Sequence, residues 1–302
     1  MHSAPDRHDA VVLRSLLFVP GNKENMLTKA LGTQADALIP DMEDSVPDSE
    51  KRAARETIRS FLPRLAAANS HVIPRVNSFE TEWTEEDLEA VVGPHIYGIS
   101  IGKVRRAADI AGVSNLIAKL ETRAGLPVGR IRLIPWIENA EAIVRCGEIL
   151  AASERIVAAA FGAEDFTNDM GIERLDDERH LAYPRSALCI AARAAGVAAL
   201  DTPYFKLRDL EGLRATALQA KHLGFKGRFA IHPEQVDTLN ECFSPSAAEI
   251  AEAERIVAAF EEAERRGRAS TSLDGRVIDV PVVKRARAVL RLAAQGSRRP
   301  ES

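Results

Sequence analysis

The chain has 302 residues, 46% of them hydrophobic, enough to bury one large core; α/β barrels often run to this length as one domain. Its formal net charge is -4 with the two signs interspersed, which excludes a nucleic-acid binder working by basic excess. Three scattered cysteines (Cys146, Cys189, Cys242) make neither a disulfide framework nor a zinc site and point to a reducing, cytoplasmic setting, and no apolar run has signal-peptide or membrane length.

Residues 1–10 and 296–302 read as loose tails. Between them, short apolar runs alternate with longer amphipathic ones. Candidate strands are 16–19, 37–39, 72–76, 97–101, 131–137, 156–161, 197–200 and 228–231. Among the intervening helices, 48–65 places Ala54, Ile58, Phe61, Leu62 and Leu65 on one face. In 139–151, Ala140, Ile143, Val144 and Leu150 share a stripe, and in 208–223 Leu210, Leu213, Ala217, Ala220 and Leu223 do. Eight strands alternating with helices predict parallel βα units closed into a (β/α)8 TIM barrel, with a doubly wound open sheet as the alternative. Pro20-Gly21-Asn22-Lys23 after the first strand is a turn, not a GxGxxG phosphate loop.

The chain continues for roughly 70 residues past the eighth strand, more than a barrel needs. We divide it into a barrel, 1–245, and a C-terminal helical lid and oligomerisation extension, 246–302. Ser246-Ala-Ala-Glu249 is a capping box opening a helix with Ile250, Ala253, Ile256, Val257 and Phe260 inward. A polar stretch, 266–279, and a last helix from Val282 follow.

Nearly every strand runs into a residue able to do chemistry. Strand two leads into Asp41-Met42-Glu43-Asp44, strand three to Arg75 and Asn77, strand four to Lys103 and strand five to Glu138. Strand six leads into Glu164 and Asp165, strand seven to Asp201 and strand eight to His232. In a barrel all these ends meet on the C-terminal rim, where active sites sit. Structural duties compete for several of them. Asp44 and Asp48 suit helix N-caps, Asp41 and Asp201 suit loop-pinning by backbone hydrogen bonds, and Cys146 suits the core. Lys103 suits an ion pair, or less readily a Schiff-base nucleophile; His232 suits a packed loop. Glu138 and Asp165 follow consecutive strands, so their carboxylates should lie side by side, where they repel unless a proton or cation intervenes. A Mg²⁺ ion answers that need, and a buried ion pair with Arg75 is the alternative.

The motifs resemble the HpcH/HpaI aldolase superfamily, in particular its citrate lyase β-subunit-like CoA ester lyases. The resemblance runs from Arg14-Ser-Leu-Leu-Phe-Val-Pro-Gly21 through Asp41-Met-Glu-Asp44-Ser-Val46, Arg75-Val-Asn77 and Phe161-Gly-Ala-Glu-Asp165-Phe. It continues in Ala230-Ile-His-Pro233-Glu-Gln235 and Asp274-Gly-Arg-Val-Ile-Asp279. It implies Mg²⁺, replaceable by Mn²⁺, on Glu138 and Asp165. It implies Arg75 on the substrate carboxylate or carbonyl oxygen, Glu43 and Asp44 as an acidic pair beside the metal, and Asp279 as a lid aspartate reaching a neighbour's site. Arg14, Lys23 and Lys29 are where contacts to CoA phosphates would be sought.

The implied activity is cleavage of a 3-hydroxyacyl-CoA such as malyl-CoA or citramalyl-CoA, with CoA carried in as part of the substrate. The implied assembly is a homotrimer or a dimer of trimers. Alternatives are the β subunit of a citrate lyase complex with an acyl-carrier partner, a malyl-CoA thioesterase, and a CoA-independent pyruvate aldolase. Asn139 and Glu141 after Glu138, Gly102 before Lys103, and Lys206 depart from the family pattern, which bears on acyl specificity.

Overall fold

The structure, a computed structural model, describes residues 11–69, 71–175 and 177–296; the expected tails lie outside them except Gly296. It divides into two compact units between Asn240 and Glu241. The first is a closed barrel of eight strands, β1 (Ser15–Pro20), β2 (Ala37–Asp41), β3 (Arg75–Val76), β4 (Gly98–Ile101), β5 (Arg132–Ile137), β6 (Ala158–Phe161), β7 (Ala198–Asp201) and β8 (Gly227–Ala230). Each pairs in parallel with the next, and β8 closes onto β1 through Leu16↔Phe229. The open-sheet alternative is thereby excluded. Helices α1 (Glu24–Ala30), α2 (Lys51–Ala68), α3 (Thr84–Val91), α4 (Ala107–Arg123), α5 (Ala140–Val144), α6 (Cys146–Ala151), α7 (Ala163–Asp169), α8 (Ala182–Ala195), α9 (Leu210–Leu223) and α10 (Gln235–Phe243) alternate with the strands.

The barrel interior is filled rather than hollow. Leu16, Ile39, Ile73, Ile134, Trp136, Leu200 and Phe229 meet there with Ala37, Ala158, Ala160 and Ala198. Alanines on β6 and β7 make room for the Trp136 and Phe229 rings, whose centroids lie 4.5 Å apart. An eight-stranded barrel has just enough interior for such large-and-small packing. Phe18 caps this cluster, 5.1 Å from Phe229 and 5.8 Å from Trp136.

Several expectations need correction. Only Arg75–Val76 of the third run is regular strand: Pro74 lacks an N–H, and Val72 contributes an isolated bridge to Leu38. Residues 139–151 form two helices, broken at Arg145, not one. The break turns Val144 outward to 85% exposure, while Ala142, Ile143, Cys146 and Ile149 are buried. Asp48 opens a 3₁₀ turn ahead of α2 without capping it by its side chain. Leu210 and Leu223, at the ends of α9, are exposed; Leu213, Ala217 and Ala220 form the buried face.

The second unit contains α11 (Ala247–Arg265), opened by the expected capping box: Ser246 Oγ accepts from Glu249 N at 3.1 Å, and Glu249 accepts from Ser246 N at 2.8 Å. The polar stretch after it is a β-hairpin, β9 (Thr271–Leu273) and β10 (Arg276–Ile278), not irregular chain. Its turn residues Asp274 and Gly275 both have positive φ, 50° and 76°, as a type I′ hairpin requires. Phe260 and Ile278 share a small core with Val283 of α12 (Val280–Gly296). Among the described residues no helix is long and apolar enough to cross a membrane.

Candidate active site at the C-terminal rim

The end of β2 turns sharply because Asp41 accepts from the backbone of the residues that follow it. Its Oδ1 takes the Glu43 N–H at 2.9 Å and its Oδ2 the Ser45 N–H at 3.1 Å. Asp41 is the loop pin expected of it, and it also anchors Arg75 from the adjacent β3. Arg75 donates Nε to Oδ1 and Nη2 to Oδ2, both at 2.7 Å. Its guanidinium lies 4.6 Å above the Phe18 ring and 5.9 Å from Trp136. The aromatic top of the barrel core is therefore the platform on which the arginine rests. The remaining nitrogen, Nη1, lies 3.1 Å from Glu43 and 3.0 Å from Asp44. Burial opposes the charge, but Asp41, Glu43 and Asp44 outweigh it and hold Arg75 firmly protonated.

Lys103, two residues past the end of β4 and directly after Gly102, reaches the same acids. Its ammonium lies 3.0 Å from Glu43 and 3.3 Å from Asp44. Burial works against its charge, but Glu43 and Asp44 prevail and its pKa is raised. Lys103 is thus an ion-pair partner, and a protonated amine is no Schiff-base nucleophile.

Glu138 follows β5 directly and is buried. Its Oε1 accepts the Lys103 backbone N–H at 2.5 Å. Asp165 lies on the first turn of α7, whose start follows β6, and is partly exposed. Burial first, and then Glu43 and Asp165, push the Glu138 carboxyl well above its ordinary range. Asp165 is raised by burial and by Asp44, and Glu43 by burial despite Arg75. Among the described residues neither Glu138 nor Asp165 has a salt-bridge partner, so the alternative in which Glu138 pairs with Arg75 does not hold.

Five carboxylates (Asp41, Glu43, Asp44, Glu138, Asp165) thus face two cations, Arg75 and Lys103. The excess of negative charge is what a divalent cation would neutralise. Two glycines keep the space around Glu138 open. A Cβ on Gly102 would stand 3.0 Å from Glu138 Oε1 and 2.9 Å from Glu43 Oε1, and one on Gly162 would strike the Glu138 side chain. No group of three or more His, Cys, Asp or Glu is arranged to enclose a metal among the described residues. Two oxygen ligands with room left for water and substrate is how proteins commonly hold Mg²⁺.

Other expected site residues fall elsewhere. Arg14 precedes β1 and therefore lies at the opposite, N-terminal end of the barrel, where it forms a two-pronged bond to Asp36, at 2.8 and 2.9 Å. That position removes it from the rim. Lys23 does sit at the rim, ahead of α1, 3.9 Å from Glu50; Lys29 is exposed in the last turn of α1. Asp279, in the second unit, accepts the Val282 N–H at 3.2 Å at the start of α12. Among the described residues Asp201 pins no backbone: it is bound by Arg185 at 2.7 and 3.1 Å, with Arg228 at 3.7 Å. His232 is a partly exposed loop histidine accepting the Glu234 N–H. Cys146 is core, its thiol pushed up to about 12 by burial. Sequence reasoning left out of the site Asp41 as the arginine's anchor, Lys103, and the two glycines beside Glu138. The visible signal was a glycine directly after two strands, Gly102 after β4 and Gly162 after β6.

The family model described as HpcH/HpaI aldolase/citrate lyase matches residues 14–233. The chain belongs to this family. Within it, the chain is of the citrate lyase β-subunit-like kind. It is 37% identical to the citrate lyase subunit beta of Leuconostoc mesenteroides subsp. cremoris over 280 residues, covering 93% of each. It is 38% identical to the (3S)-malyl-CoA thioesterase of Cereibacter sphaeroides (strain KD131 / KCTC 12085) over 272 residues, covering 90% of this chain and 91% of that one. Among solved structures, protein CitE from Mycobacterium tuberculosis in complex with magnesium, acetoacetate and coenzyme A superposes with a TM-score of 0.77 at 29% identity. The match covers 95% of this chain and 99% of that one. The family match thus spans the barrel from just before β1 to just past β8.

Proposed function

We propose that the chain is a Mg²⁺-dependent lyase that breaks the Cα–Cβ bond of a small 3-hydroxyacyl-CoA of the malyl- or citramalyl-CoA kind. The products are acetyl-CoA or a related acyl-CoA and a small oxoacid. The enzyme class, a CoA-ester lyase of the citrate lyase β type, goes with the family. The observation that carries the finer reading is the buried excess of carboxylates around Glu138, with Arg75 and Lys103 beside it. The relative in complex with magnesium, acetoacetate and coenzyme A supports it.

Glu138 and Asp165 would hold the metal, with Glu43 in reach of the same space. A bound Mg²⁺ supplies Lewis-acid polarisation of substrate oxygens. The rest of the chemistry falls to the chain itself. The retro-aldol step takes the hydroxyl proton, breaks Cα–Cβ, leaves the carbonyl product, and passes the electron pair to the thioester enolate, which is then protonated at Cα. Arg75, held rigid by Asp41 and Phe18, orients an acyl oxygen and stabilises negative charge on it. Two carboxylates are candidates to take the proton. Asp44 is half exposed at the rim within 3.3 Å of both cations, and Asp279 belongs to the extension. Lys23, at the rim ahead of α1, would meet a CoA phosphate, with Lys29 further along the same helix. A homotrimer in the cytoplasm, an extension acting as a lid and Mn²⁺ in place of Mg²⁺ complete the reading.

The likeness to a malyl-CoA thioesterase favours one second reading, hydrolysis of the thioester instead of carbon–carbon cleavage. One experiment separates them. The purified chain is given Mg²⁺ and malyl-, methylmalyl-, citramalyl- or 3-hydroxy-3-methylglutaryl-CoA, and both free CoA and the released oxoacid or ketone are measured. Oxoacid or ketone without free CoA is the expected result. Free CoA with an intact hydroxyacid means hydrolysis, and turnover only with an added acyl-carrier protein means a complex subunit.

A further inference from the structure

Lys103 does two things at once. It is one of three described non-glycine residues with positive φ, at 56°. A Cβ-bearing residue is disfavoured there, and such outliers persist where the surroundings over-determine them. In this case they do so from both ends of the residue. The left-handed turn aims the Lys103 backbone N–H at Glu138 Oε1, 2.5 Å away. The side chain meanwhile extends across the rim to Glu43 at 3.0 Å and Asp44 at 3.3 Å, the two acids that also flank Arg75. The preceding Gly102 makes the close approach possible, because any Cβ there would press on both Glu43 and Glu138.

We infer that Lys103 is a positioning residue: its ammonium, tethered to Glu43 and Asp44, holds the backbone in a left-handed turn whose N–H orients Glu138 for a divalent cation. The inference rests on the functional reading above and adds to it a coupling between the acidic pair on β2 and the ligand on β5. A glycine at 103 would keep the turn, and with it the N–H, without any tether. An alanine would keep the steric penalty and lose the tether, so its backbone would relax and the N–H would leave Glu138. The two substitutions remove the same charge, and only the backbone preference distinguishes them.

The test measures Mn²⁺ affinity of the substrate-free full chain by electron paramagnetic resonance, with thermal unfolding and kcat and KM alongside, for the parent, Lys103→Gly and Lys103→Ala. Lys103→Gly is expected to bind Mn²⁺ at least as tightly as the parent. Lys103→Ala is expected to bind about 10-fold more weakly, the size of effect seen when an outer partner of a metal ligand is lost. Both lose kcat, because Glu43 and Asp44 are then held by Arg75 alone, without the ammonium on their other side. Equal Mn²⁺ affinity in the glycine and alanine variants, each folded, would overturn the backbone half. Parental kcat in Lys103→Gly would overturn the ammonium half. A parent chain that binds no Mn²⁺ would instead sink the functional reading, and this inference with it.

Discussion

Gly162 and Glu138 occupy neighbouring strand ends so closely that a Cβ on the glycine would lie 2.6 Å from the glutamate's own Cβ, with its carboxylate closer still. Glu138 is thus wedged between Gly162 and the Lys103 N–H, which leaves it little rotational freedom. Gly162→Ala is expected to displace the carboxylate, weakening Mg²⁺ binding and turnover together. Overpacking also lowers stability, by ~1–3 kcal/mol. Calorimetric Mg²⁺ titration and urea unfolding of the variant check this. Parental affinity in Gly162→Ala would mean that Glu138 is not held where the structure has it.

Asp165→Ala and Glu138→Gln are each expected to abolish turnover and its dependence on Mg²⁺. Both remove a rim carboxylate that, among the described residues, has no ion-pair partner. They should also relieve repulsion among the buried acids, so neither variant is expected to melt below the metal-free parent. The measurement is kcat over a range of Mg²⁺ concentration, paired with thermal unfolding in chelator. Normal activity in Asp165→Ala would remove Asp165 from the metal site.

The barrel was legible because its strands are short apolar runs of regular spacing, and the rim because acids follow those runs directly. Position put Glu138, directly after β5, and Asp165, four residues after β6, at the rim. What escaped was long-range. Asp201 looks like a loop pin until Arg185 and Arg228, from α8 and β8, are seen to converge on it. Arg14 looks like a phosphate ligand until the direction of β1 puts it at the opposite end. The split at Arg145 lies between two stretches of good helix formers, so periodicity alone could not separate them. The Asp274-Gly275 hairpin was different: its turn pair was visible, but the flanking three-residue strands are too short and polar to show alternation.

Arg75 rests on Asp41 below and on the Phe18 face beside it, so a replacement must match a planar fork, not only a charge. Arg75→Ala is expected to lower kcat/KM by ~10²-fold or more, by analogy with losing one oxyanion donor. Arg75→Lys should recover little of that loss, because an ammonium can neither bridge both Asp41 oxygens nor stack as flatly. Steady-state kinetics with the preferred acyl-CoA decide it. An Arg75→Lys variant close to the parent would show that only charge is needed.

A control far from the rim should separate stability from chemistry. Glu121 on α4 is fully buried and takes both prongs of Arg155, at 2.7 and 2.9 Å, plus the Ile131 and Gly129 N–H groups. Burial alone would raise its carboxyl, but Arg155 and the two amides outweigh that and hold it below the ordinary value. Glu121→Gln leaves Arg155 buried without its counter-charge, which costs ~3–5 kcal/mol in such pairs. Its turnover at 25 °C, where the fold persists, should match the parent. Because the folded-state pKa is depressed, the ionised Glu121 stabilises fully above the unfolded carboxyl value of ~4.3 and loses that contribution as pH falls through the lower folded one. The stability gap between parent and variant should therefore be constant at neutral pH and shrink below about pH 4. Urea midpoints at several pH values measure it. A gap that widened on acidification would contradict the depressed carboxyl, and lost turnover in a folded variant would show that this pair reaches the rim.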